Sequence, residues 1–144
     1  MKKQLIFLAF ALTCLPFFVI SQTGKVMDNL TMTSKILKME RKFAVYLPPD
    51  YESSDRSYPV LYLLHGGGDD HTGWVQFGEV MRIADKAINE GTATPMVIIM
   101  PDANTGERGY ANNAPDLEIR RFFFEELMPF VEKNTALKQK NTGR

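Results

Sequence analysis

The run Val60-Leu61-Tyr62-Leu63-Leu64 passes without a polar break from Pro59 into His65-Gly66-Gly67-Gly68, and no other stretch limits the fold as tightly. A short apolar run closed by proline on one side and glycine on the other reads as a strand buried on both faces of a sheet, and hence as a central strand. Downstream, Phe77, Val80, Ile83, Ala84, Ala87 and Ile88 recur at helical spacing, and Gly91 is placed to cap that helix. Pro95-Met96-Val97-Ile98-Ile99-Met100-Pro101 is then a second buried strand with prolines at both ends. Strand, helix and strand in this order predict a βαβ unit, with parallel strands and a right-handed crossover. The fold class is therefore α/β.

Elements of other kinds flank this unit. Leu30, Met32, Phe43, Val45 and Leu47 alternate with Thr31, Lys42, Ala44 and Tyr46, which predicts antiparallel strands with one solvated face. Pro48-Pro49-Asp50 ends the second of them, because proline has no N–H to give the ladder. Residues 102–115 read as a loop, and Asp116 is suited to cap a second helix. That helix carries Ile119, Phe122, Phe123, Leu127, Phe130 and Val131 on its apolar face, and Pro129 predicts a kink within it.

The N-terminus has another character. Lys2 and Lys3 precede an apolar run over residues 5–20, followed by the small residue Ser21. A basic front, an apolar stretch too short to span a bilayer and a small residue predict a secretory signal peptide over 1–21, cleaved after Ser21. The export is secreted or periplasmic, with no stable membrane insertion after cleavage. An uncleaved anchor is the competing reading. Leu12-Thr13 lacks the small residue that normally precedes a lipidated cysteine, which argues against modification of Cys14. Cys14 is the sole cysteine, so the part beyond the leader has no disulfide. The 17 basic and 17 acidic residues of the whole chain cancel without a long basic run, which gives no footprint for nucleic acid.

A glycine run at the C-terminal end of a strand suits acyl transfer. The tetrahedral intermediate carries an oxyanion, best stabilised by fixed backbone N–H groups, and glycine lets a backbone approach the substrate without a Cβ in the way. On the α/β-hydrolase fold a His-Gly-Gly-Gly run after a strand is the oxyanion motif of lipases and esterases. A tight strand-to-helix turn is the plainer reading, and a phosphate cradle is disfavoured by the lack of G-K-[ST]. Asp69, Asp70 and His71 raise the question of a metal, but adjacent acids on a glycine loop are usually solvated turn residues, and no metal or other cofactor is expected. Trp74 has two readings, lining an acyl pocket or covering the helix start. Asp102, Asn104 and Tyr110 sit in a loop that either borders the substrate or is plain surface.

Tyr46-Leu47-Pro48-Pro49-Asp50-Tyr51, the strand 58–65, the loop through Trp74, residues 96–102 and the helix 124–131 together resemble the esterase D type family of α/β-hydrolases. That family includes feruloyl and acetyl-xylan esterases, S-formylglutathione hydrolases, siderophore esterases and mycolyltransferases. The resemblance implies a secreted carboxylic ester hydrolase working through a serine acyl-enzyme, removing feruloyl or acetyl groups from plant polysaccharide. It implies that Gly67 supplies one oxyanion N–H and the residue after the nucleophilic serine the other. Gly67 and Gly68 are the candidate oxyanion residues, and His65, Gly66, Trp74 and Asp102 are the candidate border of a small-molecule or polysaccharide ester. A siderophore esterase or an acyltransferase of the same fold is an alternative within the family.

The sequence departs from the family in one respect: it contains no G-x-S-x-G. The expectation is an incomplete α/β-hydrolase, residues 22–144 forming the N-terminal part of an esterase domain truncated before the nucleophile-elbow strand and inactive alone. His65 and His71 precede the nucleophile position, in a fold whose order is serine, acid, histidine, so neither is the triad histidine. A non-catalytic fragment or carbohydrate-binding module is the competing class. With no nucleophile strand beside it, the strand at 60–64 is expected at a sheet edge.

Overall fold

The structure is a computed structural model that describes residues 22–104 and 117–137. The expected leader 1–21, Tyr110 and the expected cap Asp116 lie outside the described residues. Strands β1 (Lys25–Ser34) and β2 (Met39–Leu47) form an antiparallel hairpin, with Ser34 opposite Met39 and Lys25 opposite Leu47. The short β3 (Val60–Tyr62) is followed by α1 (Gly73–Gln76), α2 (Val80–Asn89) and β4 (Val97–Pro101). Strands β3 and β4 are parallel, as the βαβ pattern requires, and β4 runs antiparallel to β2. The sheet order is β1-β2-β4-β3.

Two strands differ from the reading of their local pattern, and position in the sheet explains both, β3 taking the edge position expected of residues 60–64. β2 has no solvated face from Phe43 onward, because it lies between β1 and β4 with helices over each side. Phe43, Val45 and Leu47 pack with Phe122, Leu127 and Val131 on one face. Ala44 and Tyr46 pack with Val80, Ile98 and Met100 on the other. β3 is neither central nor buried on both faces; among the described residues it pairs only with β4, and Leu61 and Leu64 stand 43% and 42% exposed. Its apolar composition suits an interior strand, while its position here is an edge.

Helix α2 ends as Gly91 suggested. Gly91 takes φ +71°, its N–H donates to the Ile88 carbonyl, and the Thr92 N–H donates to the Ala87 carbonyl, which closes the last turn. Phe77, expected on the apolar face, precedes the helix and stands 81% exposed. Asp85 faces inward from α2 and accepts from the Tyr46 hydroxyl (2.8 Å) and the Gly24 N–H (2.9 Å), which ties the start of β1 to the helix layer.

The second helical region is not one kinked helix. It runs as α3 (Leu117–Arg121), a wider π-helical stretch (Phe122–Leu127) and α4 (Met128–Leu137). Within the widened stretch the Met128 N–H reaches the Phe123 carbonyl, five residues back. A proline ring in a helix collides with the carbonyl four residues before it, so loosening the turn ahead of Pro129 accommodates the ring without a sharp bend. Ile119, Phe122, Leu127 and Val131 are the buried side chains of this region. Glu126 points the other way, accepting from the Ser34 hydroxyl and from the Lys35 and Ile36 N–H groups at the hairpin turn.

Candidate functional site

The glycine turn leaves the sheet at the C-terminal end of β3, beside the segment that leaves β4. Leu63 N–H still donates to the Ile99 carbonyl (2.8 Å), after which the two chains part. His65 bridges the gap. Its Nε2 accepts from the Ala103 N–H at 3.0 Å, so the ring proton resides on Nδ1, which lies 2.8 Å from the Gly66 carbonyl and donates to it. His65 is thereby committed to holding backbone on both sides.

Asn104 makes the second bridge, its Nδ2 donating to the Asp69 carbonyl at 2.6 Å. The Asp69 N–H closes the turn on the Gly66 carbonyl at 3.3 Å. The run Gly66-Gly67-Gly68 is therefore fixed at both ends, while its middle is bare. A Cβ placed on any of the three glycines would meet nothing within 4 Å among the described residues. Gly68 needs to be glycine for its φ of +81°, but Gly66 and Gly67 have no positive φ. Among the described residues neither backbone conformation nor packing accounts for these two glycines. Gly73 is the opposite case, since a Cβ there would stand 2.0 Å from the Asp69 Oδ2.

Asp70 is a turn residue. Its Oδ1 accepts from both the N–H and the hydroxyl of Thr72 at 2.7 Å, and these bonds hold its carboxyl below the usual carboxylate range. His71 is buried, with Nδ1 at 3.8 Å from Asp70 Oδ1 and without a hydrogen bond among the described residues. No group of three or more His, Cys, Asp or Glu side chains among the described residues could hold a metal ion. Trp74 lies across the start of α2. Its indole N–H donates to the Leu64 carbonyl (3.0 Å), and it walls an apolar groove of about 230 Å³ with Leu63, Val80, Ile83 and Met96. Asp102 turns toward its own loop, accepting from the Asn104 N–H at 2.7 Å, and its Oδ1 stands 3.8 Å from His65 Nε2.

Sequence reasoning missed Arg41. It is 2% exposed, and its guanidinium reaches the carbonyls of Asp102 (2.5 Å) and Asn104 (2.6 Å). A signal was present: Arg41 has the same parity along β2 as Phe43, Val45 and Leu47, and a charged residue on a buried face has a reason to be there.

A mixed sheet with helices on both faces, whose outer parallel strand opens into a His-Gly-Gly-Gly turn, defines an α/β-hydrolase-type esterase architecture, of which the described residues form part. The chain belongs to the family described as "Putative esterase", which it matches over residues 34–143. An esterase of Mycobacterium tuberculosis is 33% identical over 105 residues, covering 69% of this chain and 21% of that protein. An endo-1,4-beta-xylanase/feruloyl esterase of Xylanibacter ruminicola is 31% identical over 106 residues, covering 69% of this chain and 15% of that one. Among solved structures, a ferulic acid esterase superposes with TM-score 0.71 at 34% identity, over 78% of this chain and 45% of that chain. The feruloyl esterase module from Clostridium thermocellum, a mutant complexed with sinapinate, superposes with TM-score 0.66 at 27% identity, over 80% of this chain and 38% of that one. The chain thus spans less than half the length of each of these relatives. No helix among the described residues is long and apolar enough to cross a membrane.

Proposed function

We propose that this chain is the oxyanion-hole half of an exported carboxylic ester hydrolase acting on feruloyl or acetyl esters of plant polysaccharide. The observation that carries the reading is the bare middle of the glycine turn: among the described residues, Gly66 and Gly67 are glycine where neither φ nor packing demands it. Space kept clear beside fixed backbone N–H groups is what an acyl substrate needs, and Gly67 then supplies one donor to the developing oxyanion, with Gly68 beside it. His65 and Gly66 shape that turn, while Trp74 and Asp102 stand at the borders of the adjoining surface. The feruloyl preference is supported by similarity to feruloyl esterases, and export by the basic front and apolar run within residues 1–21. A non-catalytic role competes, because these 144 residues contain no G-x-S-x-G.

Joining the chain to a G-x-S-x-G elbow with its acid and histidine tests the reading. That extended protein hydrolyses methyl ferulate, and Gly67→Pro, which deletes the proposed N–H, lowers turnover by about 10²–10³-fold. Turnover unchanged by Gly67→Pro would refute the oxyanion assignment. Export is checked separately by mass spectrometry of the exported protein, which should begin at or near Gln22; intact Met1 in the soluble fraction would contradict it.

A further inference from the structure

We propose that Arg41 is a positioning residue for the glycine turn, acting through the segment 102–104; the catalytic consequence rests on the oxyanion reading above. Along extended backbone, alternate carbonyls point one way and the intervening N–H points the other. Arg41 Nη2 and Nη1 donate to the carbonyls of Asp102 and Asn104, on either side of Ala103. The Ala103 N–H then faces away from the guanidinium and donates to His65 Nε2. His65 passes the constraint on, with Nδ1–H on the Gly66 carbonyl. Asn104, whose backbone Arg41 holds, fixes the Asp69 carbonyl with its side chain. Both carbonyls that flank Gly67 and Gly68 are therefore anchored to a segment that one buried guanidinium grips.

Arg41 is poorly arranged as a device for stability. Its closest carboxylate contact, Asp102 Oδ1, is 3.8 Å away, and its buried Nε has no hydrogen-bond partner among the described residues. Burying a charge on carbonyl oxygens, with one donor unsatisfied, costs more than an apolar side chain would at the same place. An apolar residue there would extend the row of Phe43, Val45 and Leu47. What only a forked, planar donor provides is a grip on two carbonyls two residues apart.

The test reads the tautomer of His65, which an effect on stability alone would not move. With two histidines in the chain, ¹⁵N-histidine labelling gives two imidazoles, and His71→Gln assigns them. Magic-angle-spinning spectra suit the chain in any oligomeric state. In the wild type His65 shows a protonated Nδ1 and a bare Nε2. In Arg41→Lys and in Arg41→Met it should become a mixture of tautomers. Amide exchange at Ala103 and Asp69 should quicken by about tenfold or more, while β4 stays protected. A His65 that keeps its Nδ1–H form in both variants would overturn the proposal. So would loss of β4 protection in both, because Arg41 would then serve the sheet as a whole. In the extended esterase, Arg41→Lys should lower kcat and leave KM unchanged. If Gly67→Pro spares turnover while the tautomer still responds to Arg41, the oxyanion reading fails and the clamp stands.

Discussion

Alanine at Gly67, set beside alanine at Gly73, separates a glycine kept for the fold from one kept for a ligand. At Gly67 the new Cβ meets nothing within 4 Å among the described residues, and φ is not positive, so their packing loses nothing. The unfolded chain loses conformational freedom, and the variant should gain about 0.4–1 kcal/mol. At Gly73 the Cβ would stand 2.0 Å from Asp69 Oδ2 and 2.3 Å from its Cγ. Asp69 cannot simply swing aside, because its carbonyl is held by Asn104 and its Oδ1 accepts from the Asp70 N–H. Overpacking of that kind costs about 1–3 kcal/mol. Urea denaturation of the extended esterase followed by circular dichroism, together with methyl ferulate turnover, reads both quantities. Gly67→Ala should melt at higher urea yet turn over more slowly, its methyl group occupying substrate space; Gly73→Ala should melt at lower urea. If Gly67→Ala lost more than about 1 kcal/mol, the turn would need glycine for its own sake, and the tight-turn reading would replace the catalytic one.

The 144 residues alone, lacking a G-x-S-x-G, should hydrolyse p-nitrophenyl acetate no faster than a heat-treated control and take no fluorophosphonate label; stoichiometric labelling would reveal an activated serine elsewhere. The open edge of β3, with Leu61 exposed, should make that chain oligomeric or insoluble, and Leu61→Lys should shift size-exclusion elution toward monomer; a sharp monomeric peak for the unaltered chain would contradict this. Asp85→Ala should cost about 2–3 kcal/mol by orphaning the buried Tyr46 hydroxyl, and should flatten in a Tyr46→Phe background. Burial, and then the charge of Glu132, raise Tyr62 to about 12, while burial and the Asp85 hydrogen bond raise Tyr46 further. Tyrosines in the unfolded chain titrate near 10, so stability should hold below that pH and decline as pH rises from about 10 through 12; a urea midpoint unchanged across that window would refute the shifts.

The parts of the fold legible in the sequence were those in which local pattern and tertiary position agree. The spacing from Val80 to Ile88 and the proline-bounded 95–101 match the sides they bury, and with the strand at 60–62 they gave the βαβ unit, although the apolar run 60–64 overstated how deeply that strand lies. The alternation at 42–47 misled on one point. Ala44 and Tyr46 look able to face solvent, but Tyr46 is buried by a partner, Asp85, that lies 39 residues away. The glycine turn was visible because its chemistry is written in consecutive residues. The clamp was not, since Arg41 on β2 and Asn104 in the segment after β4 are far apart in sequence, and the parity of Arg41 marks it as buried without saying which carbonyls it grips. The widened helical turn was likewise hidden: Pro129 announces an irregularity without saying whether the helix bends or loosens.

That loosened turn also works as a phase correction. Residues of an α-helix advance by about 100° each, so Ile119 and Leu127, eight apart, would diverge by about 80°, with Val131 further round still. Taking one residue more than a regular turn returns Leu127 and Val131 to the meridian of Ile119 and Phe122, and all four are buried. In effect the helix carries a one-residue insertion. Excising the exposed Phe124 would restore regular winding and keep the buried stripe aligned, but it would also return the Glu125 carbonyl to the path of the Pro129 ring. The residue and the proline form one genetic unit: deletion of Phe124 should be tolerated in a Pro129→Ala background and should cripple folding without it.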